Sequence, residues 1–348
     1  MKPTRQDYCQ FLLVTQKNYT QTYFADHHAH FSHDAVNRYL LDDNITADDF
    51  WEKVKSDIKG DPNGYIIFDD TVIDKGYARK IESAQKQYSG NAHGIVYGIG
   101  VVNCLYVNSK TGECWIIDWR IFDPSKDQKT KLQHVMEMFD SVIDEKGLPF
   151  STVLMDSWYA TMEIMRHIDS RKKFFYCPLK SNRSVDDSDG TGKSSYRHVD
   201  SLAWSDEELK FGKIVKLHKF PGDKKLRLFR VANTNRTDWV VTNEFPEEKS
   251  GGNNSHRNTA ETVGKICAIR WKIEQYHREV KQTLGMEKCQ CRKRIAQRNH
   301  IGCVAFAWHY LTKMARKAKK TVYALKDKLL SNYMRSQLAK PDLVMPHI

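Results

Sequence analysis

Apolar and polar positions along the chain change period several times, and each change marks a new element. Residues 1–60 carry apolar positions at helical spacing. Ser32-His33-Asp34 offers a cap for a helix through AVNRYLL, and Thr46-Ala47-Asp48-Asp49 precedes the amphipathic FWEKVKSDI. Two short helices separated by LDDNI predict a helix-turn-helix, whose second helix would enter a major groove. The turn cluster Asp61-Pro62-Asn63-Gly64 marks a boundary. Beyond it YIIFDD (65–70), GIVYGIGVVNCLYVN (94–108) and CWIIDWRIF (114–122) read as strands, the last two joined in a hairpin at Lys110-Thr111-Gly112. KDQKTKLQHVMEMFDSVIDEKG (126–147) has helical spacing and ends on glycine. STVLMD (151–156), YATMEIMRHIDSR (159–171) and KFFYCPLK (173–180) follow as strand, helix and strand.

The polar stretch SNRSVDDSDGTGKSS (181–195) predicts an exposed linker. After it, GKIVKLHKF (212–220), KLRLFRVAN (225–233) and TDWVVTNE (237–244) predict strands, and KSGGNNSHRN (249–258) a second loop. Asn258 with Glu261 makes a capping-box-like start to one long helix, TAETVGKICAIRWKIEQYHREVKQTLG, and the rest of the chain is helical. The pattern predicts an α/β fold in five segments. These are a helical N-terminal region and candidate DNA-binding segment (1–60), the first part of a core (61–182), a β-rich insertion (183–258), the core's last helix (259–300), and a basic helical C-terminal region (301–348).

Composition adds exclusions. At 40% hydrophobic and 28% charged residues the chain is globular in character. No apolar run approaches the roughly 20 residues that span a bilayer, and the N-terminus lacks the apolar stretch of a signal peptide. Eight scattered cysteines predict reduced thiols in an intracellular protein. Charge changes the picture more. Net charge is +12, yet residues 265–348 hold 19 Lys and Arg against 5 Asp and Glu, while the first 264 hold 36 against 38. All of the basic excess lies in the last quarter, which points to a polyanion partner, nucleic acid foremost.

Three carboxylates then stand out by position. Asp69 or Asp70 ends the first strand, Asp156 ends the strand after STVLM, and Glu274 lies midway along the long helix. Carboxylates at strand ends face the crevice where open sheets bind ligands. Three that converge suit hard divalent cations, and two such ions can activate an attacking oxygen and stabilise a leaving one. Taken singly, each has a plainer reading: Asp69-Asp70 capping a turn, Asp156 capping the helix at Trp158. At about 100° per residue, Arg270, Glu274, His277, Arg278 and Lys281 share one sector of the helix, beside an apolar stripe of Ile269, Ile273, Tyr276, Val280 and Leu284. A face with one acid among cations fits a phosphate backbone beside a metal ion, or an ion-pair ladder. Cys289-x-Cys291 with His300 and Cys303 lacks the spacing of a zinc knuckle.

Together these residues resemble the DDE transposases of bacterial insertion sequences, in the superfamily whose type member is insertion sequence four. The family signature around the last acid is Tyr-x2-Arg-x3-Glu-x6-Lys. IRWKIEQYHREVK sets Arg270, Glu274 and Lys281 at that spacing, with Cys267 in the tyrosine's place. FDDT resembles the first motif, Asp-x-Thr, which favours Asp69 over Asp70; LMDSWYA resembles the second, giving Asp156. The resemblance implies a ribonuclease-H-like mixed sheet core with a mainly β insertion before the glutamate helix. It implies two Mg²⁺ (or Mn²⁺) ions held by Asp69, Asp156 and Glu274. These would serve hydrolysis of one strand at the element's end and transfer of the freed 3′-OH to a second phosphodiester. Arg270 and Lys281 would bind phosphates, with His277 and Arg278 on the same DNA-facing side. A base flipped onto an insertion tryptophan would use Trp204 or Trp239. The implied partners are double-stranded DNA (transposon ends and target) and a second subunit in a homodimer on that DNA, at the nucleoid in the bacterial cytoplasm, with no membrane. Two other functions fit the same residues: a ribonuclease-H-like endonuclease that cuts without joining, and an inactive transposase-derived DNA-binding protein.

Overall fold

The computed structural model describes residues 2–78, 80–90, 92–188, 195–221, 224–232, 236–245, 258–340 and 342. Four helices open the chain: Arg5–Val14 (α1), Gln21–Asp26 (α2), His33–Asp42 (α3) and Ala47–Val54 (α4). Ser32 caps α3, and Thr46 with Asp49 forms a capping box on α4, so both N-terminal backbone ends are satisfied as the sequence predicts. The core follows with strands Tyr65–Asp74 (β1), Gln85–Ser89 (β2), Gly94–Val107 (β3) and Cys114–Phe122 (β4), then helices Pro124–Asp127 (α5) and Lys131–Asp144 (α6). Thr152–Leu154 (β5), Met162–Ser170 (α7) and Phe174–Leu179 (β6) complete its first part. Next come Ser184–Asp186 (β7), Tyr196–His198 (β8), Asp206–Phe211 (α8), Lys213–Leu217 (β9), Leu226–Ala232 (β10) and Thr237–Thr242 (β11). Four helices end the chain: Ala260–Ala268 (α9), Trp271–Leu284 (α10), Arg294–Lys317 (α11) and Val322–Ala339 (α12).

The strands of the core lie in the order β4-β3-β1-β5-β6. β3 is antiparallel to both of its neighbours, while β1, β5 and β6 run parallel. Counted along the chain without the small β2, this is order 3-2-1-4-5 with the second strand reversed, the ribonuclease-H-like arrangement. Side chains of β1 alternate between two cores. Ile66 and Phe68 join the cluster under α6 and α7, while Ile67 and Ile73 join the one under α10, α11 and the N-terminal helices. The result is a sheet covered by helices on both faces.

Three local expectations need correction. β1 does not stop at its acids: it runs on to Asp74, because pairing with β3 continues to Gly98 although pairing with β5 ends at Ile67. The strands of the mainly β insertion are continuous with the core sheet. β11 adds antiparallel to β6, and β10, β9, β7 and β8 extend the same sheet outward. β7 also lies inside the stretch expected to be an exposed linker, with Val185 fully buried, whereas residues 189–194 of that stretch fall outside the described residues. The long helix is two helices. Thr259, not Asn258, caps α9, and Asn258 instead donates to the Tyr176 hydroxyl. At Ile269 and Arg270 the backbone tightens to i→i−3 hydrogen bonds, which separates α9 from α10.

α10 is held firmly. Buried Glu279 accepts from Trp308 Nε1 of α11 (2.7 Å) and from Gln275 (2.9 Å). Gly285 ends the helix at φ 64°, where any Cβ would also collide with the Tyr19 ring. The terminal regions share one helical layer. Asn299 of α11 bonds the Leu40 carbonyl and the Ile45 amide, and Lys326 of α12 donates to the carbonyls of Leu12, Leu13 and Thr15 at the end of α1. α3 and α4 bury Val36, Tyr39, Leu40, Phe50, Trp51 and Val54. The N-terminal turn of α4, the part a recognition helix presents to bases, carries Asp48 and Asp49.

Candidate active site

Asp69 lies in mid-strand on β1, opposite Asn103 of β3 and just past the last β1–β5 pair. It therefore sits at the mouth of the crevice where the parallel strands end. By alternation it faces α10, whereas Asp70 faces α6 and α7. The two acids meet different surroundings. Asp70 is satisfied: Lys131 Nζ donates to Oδ2 (2.6 Å) and the Tyr159 hydroxyl to Oδ1 (2.6 Å). Among the described residues Asp69, 9% exposed, accepts only the amide of Asp70 at Oδ1 (2.9 Å) and has Arg270 Nη1 3.7 Å from Oδ2.

Asp156 follows β5. Its Oδ1 accepts the amides of Trp158 (2.8 Å) and Tyr159 (3.1 Å), the turn-capping role foreseen as its plain reading. Among the described residues no protein donor bonds Oδ2. Glu274 comes from the first turn of α10, with Arg270 Nη1 3.2 Å from Oε1. Asp69, Asp156 and Glu274 thus converge on one cleft of about 700 Å³, which His277, Lys131 and Trp158 also line. Burial first, then the charges of Asp156 and Asp70, push the Asp69 carboxyl well above its usual range; Arg270 opposes this and Glu274 adds to it. A buried acid crowded by acids is a poor arrangement without a cation and a good one with it. Ligand atoms of Asp69, Glu274 and His277 lie within 4.8 Å of one another, so the donor set fits a divalent ion.

The cationic residues of α10 divide. Arg270 reaches into the acid cluster and Arg278 is exposed beside the Trp271 ring. Lys281, expected at phosphate, instead donates to the Val72 carbonyl of β1 (2.8 Å) and pairs with Glu287 (2.9 Å), pinning α10 to the sheet. His277, expected on the DNA-facing side, is 5% exposed with Nε2 3.1 Å from Asn103 Nδ2. Burial, then Lys281 and Arg270, lower its pKa to about 3, so the ring is neutral.

Sequence reasoning missed Asn103, Lys131 and Trp158. Asn103 had a signal, since it is the one polar residue between Val102 and Cys104 in an apolar run. Lys131 and the 48% exposed Trp158 had none, because their place at the cleft depends on how α6 and the turn after β5 dock. Trp204 and Trp239 stack on each other with centroids 5.8 Å apart; Trp239 is buried and Trp204 half-buried. His300 is taken by the Tyr8 hydroxyl (2.9 Å) and the Gly285 carbonyl (3.2 Å), away from a zinc role. All eight cysteines are free. Among the described residues no helix is long and apolar enough to cross a membrane.

The family model described as "Transposase DDE domain" matches residues 62–309. Among solved structures, the piggyBac transposase synaptic complex with hairpin DNA is similar at TM-score 0.46 and 11% identity, with 97% of this chain and 72% of that chain covered. The Drosophila P element transposase strand transfer complex is similar at TM-score 0.28 and 10% identity, with 98% and 88% covered. At these scores neither likeness adds to the strand order above. No curated protein matches the chain.

Proposed function

The chain belongs to the transposase DDE-domain family, and from that premise we propose that it is a DNA transposase of the insertion-sequence-four type. It cuts transposon ends and joins the freed 3′-OH to target DNA. The observation that carries this reading is the convergence of Asp69, Asp156 and Glu274 from β1, the β5 turn and α10 on one cleft.

Asp69, Asp156 and Glu274 would hold two Mg²⁺ or Mn²⁺ ions. When bound, these ions supply activation of the attacking oxygen and charge stabilisation of the leaving one. Hydrolysis replaces the phosphorus bond to the element's terminal 3′ oxygen by a bond to water's oxygen, and the 3′ oxygen leaves as a hydroxyl. In the joining step that hydroxyl attacks a second phosphodiester, and the displaced 3′ oxygen takes up the proton. Arg270 stands where a charge-assisted bond to the reacting phosphate forms once a cation takes over its acids. Arg278, exposed on the same helix, contacts the neighbouring backbone. Lys281 acts by keeping α10, and so Glu274, fixed on β1. Two subunits act together on paired ends.

The test is cleavage of a labelled duplex bearing the element's end with Mg²⁺ or Mn²⁺, comparing wild type with Glu274→Gln. Cut and joined products from wild type, with a variant that binds but does not cut, support the reading. Cut products alone point to an endonuclease. Binding that is indifferent to chelation, with no cutting, points to an inactive binder. Cutting by the variant as fast as wild type removes Glu274 from the site.

A further inference from the structure

The metal reading above rests on three carboxylates, but the tightest cluster in the cleft includes a nitrogen. Asp69, Glu274 and His277 each offer an atom within 4.8 Å of the others. His277 is buried on the inner side of α10, one turn from Glu274, and no carboxylate is hydrogen-bonded to its ring among the described residues. The ring therefore lies beside two acids of the cleft, near enough for one cation to reach all three. A histidine placed to bind phosphate would be exposed, and this one is 5% exposed.

Asn103 completes the picture. It is the cross-strand partner of Asp69 and is fully buried. Its Nδ2 donates to the Val101 carbonyl (3.1 Å) and lies 3.1 Å from His277 Nε2, while its Oδ1 is buried with no partner among the described residues. A ligating histidine offers one nitrogen to the metal and hands the other N–H to an acceptor. Turning the Asn103 amide over gives up the bond to Val101 and sets the unpartnered oxygen opposite Nε2. Nε2–H then donates, and Nδ1 keeps its lone pair.

Resting on the transposase reading, we propose that His277 is a nitrogen ligand for the divalent ion shared by Asp69 and Glu274, with Asn103 orienting the ring. A mixed nitrogen and oxygen set favours first-row transition ions over Mg²⁺, which takes oxygen. The site therefore discriminates in favour of Mn²⁺.

The experiment is pulsed electron paramagnetic resonance on one equivalent of Mn²⁺ bound to the full chain, with and without ¹⁵N-labelled histidine. The expected result is a nitrogen coupling that changes with the label, disappears in His277→Gln, and accompanies a Mn²⁺ affinity about tenfold weaker in that variant. Mg²⁺ affinity changes far less. A wild-type spectrum without nitrogen coupling, or a coupling that survives in His277→Gln, overturns the proposal. Should that variant fail to fold, Glu274→Gln decides: loss of Mn²⁺ and of the coupling together supports the assignment, and persistence of the coupling overturns it. The two readings fail separately. Mn²⁺ binding that needs Glu274 but shows no nitrogen sinks only the histidine ligand, whereas binding indifferent to Glu274 sinks the active-site reading beneath it.

Discussion

The two faces of β1 carry neighbouring carboxylates that the chain treats in opposite ways. On the face toward α6 and α7, Asp70 has both oxygens bonded, by Lys131 and by Tyr159. On the face toward α10, Asp69 is more buried, is crowded by Asp156 and Glu274, and has Arg270 as its one nearby cation among the described residues. Burying charge is tolerable when a partner is built in, and the Asp70 face follows that rule. The Asp69 face breaks it, and breaks it where three elements meet at a cleft. Packing alone gives no account of such a face; under the function proposed above, the metal ions would supply the missing positive charge. The difference separates a carboxylate whose partners are built into the fold from one whose charge is only partly met.

The largest effect that would sharpen this contrast is catalytic. Asp69→Asn is expected to lower end cleavage by at least about a thousandfold, on the order of 4 kcal/mol in the barrier, with DNA binding retained. Asp70→Asn should leave cleavage per folded molecule within about tenfold, a loss of at most roughly 1.4 kcal/mol. Single-turnover cleavage of the labelled duplex measures both. Equal losses would erase the distinction between the faces.

Next in size is stability, where the order reverses. Asp70→Ala leaves the Lys131 ammonium, its side chain 12% exposed, without its carboxylate and the Tyr159 hydroxyl without an acceptor. Removing one partner of a buried pair costs about 3–5 kcal/mol, which urea denaturation would detect. A loss below about 1 kcal/mol, the range of an exposed pair, would mean that Asp70 is not the structural acid.

How far this contrast was legible in the sequence depends on which relation is asked about. Strand alternation already puts Asp69 and Asp70 on opposite faces, and the Asp-x-Thr spacing favours Asp69, but neither says which face meets α10. The Arg270-Glu274-Lys281 spacing set these residues on one sector of a helix, but did not say what each residue touches. Lys281 reaches back to the Val72 carbonyl and His277 turns inward to Asn103 because α10 packs closely on β1. That packing is tertiary, and no period encodes it. The break at Ile269 and Arg270 was hidden for a different reason: no proline or glycine marks it. Sheet continuity from β6 into β11 was equally invisible, since the pairing spans more than 60 residues of chain.

Acid should also separate native from unfolded chains steeply. Burial holds the pKa values of both His277 and His300 down to about 3, helped by Lys281 and Arg270 for the first and by Lys75 for the second. In the unfolded chain both return to about 6.5. The unfolded state then binds more protons between those values, so stability present above pH 6.5 is lost as the pH falls toward 3. Each ring contributes a slope of up to about 1.4 kcal/mol per pH unit. Denaturation midpoints at pH 7.5, 6 and 5 measure the slope, and His277→Gln should lower it by up to about 1.4 kcal/mol per pH unit. An unchanged slope in that variant would place its imidazole in solvent, contrary to the geometry of the open face.

The smallest expected effect is the most specific to that face. Asp69 has a raised pKa, so its contribution to stability is present below about pH 3.9 and is lost as the pH rises through the folded value. At neutral pH it is therefore a burden on the metal-free protein. Asp69→Asn removes that burden and should stabilise the metal-free chain by on the order of 1 kcal/mol, as relief of an active-site constraint commonly does. The same variant should lose most of the rise in melting temperature that Mn²⁺ gives wild type, because the ion no longer has a crowded carboxylate to neutralise. Asp70→Asn should show the opposite pair of changes, a less stable metal-free chain with the Mn²⁺ shift intact. A metal-free Asp69→Asn protein less stable than wild type would mean that Arg270 already compensates Asp69 as fully as Lys131 compensates Asp70, and the two faces of β1 would differ only in shape.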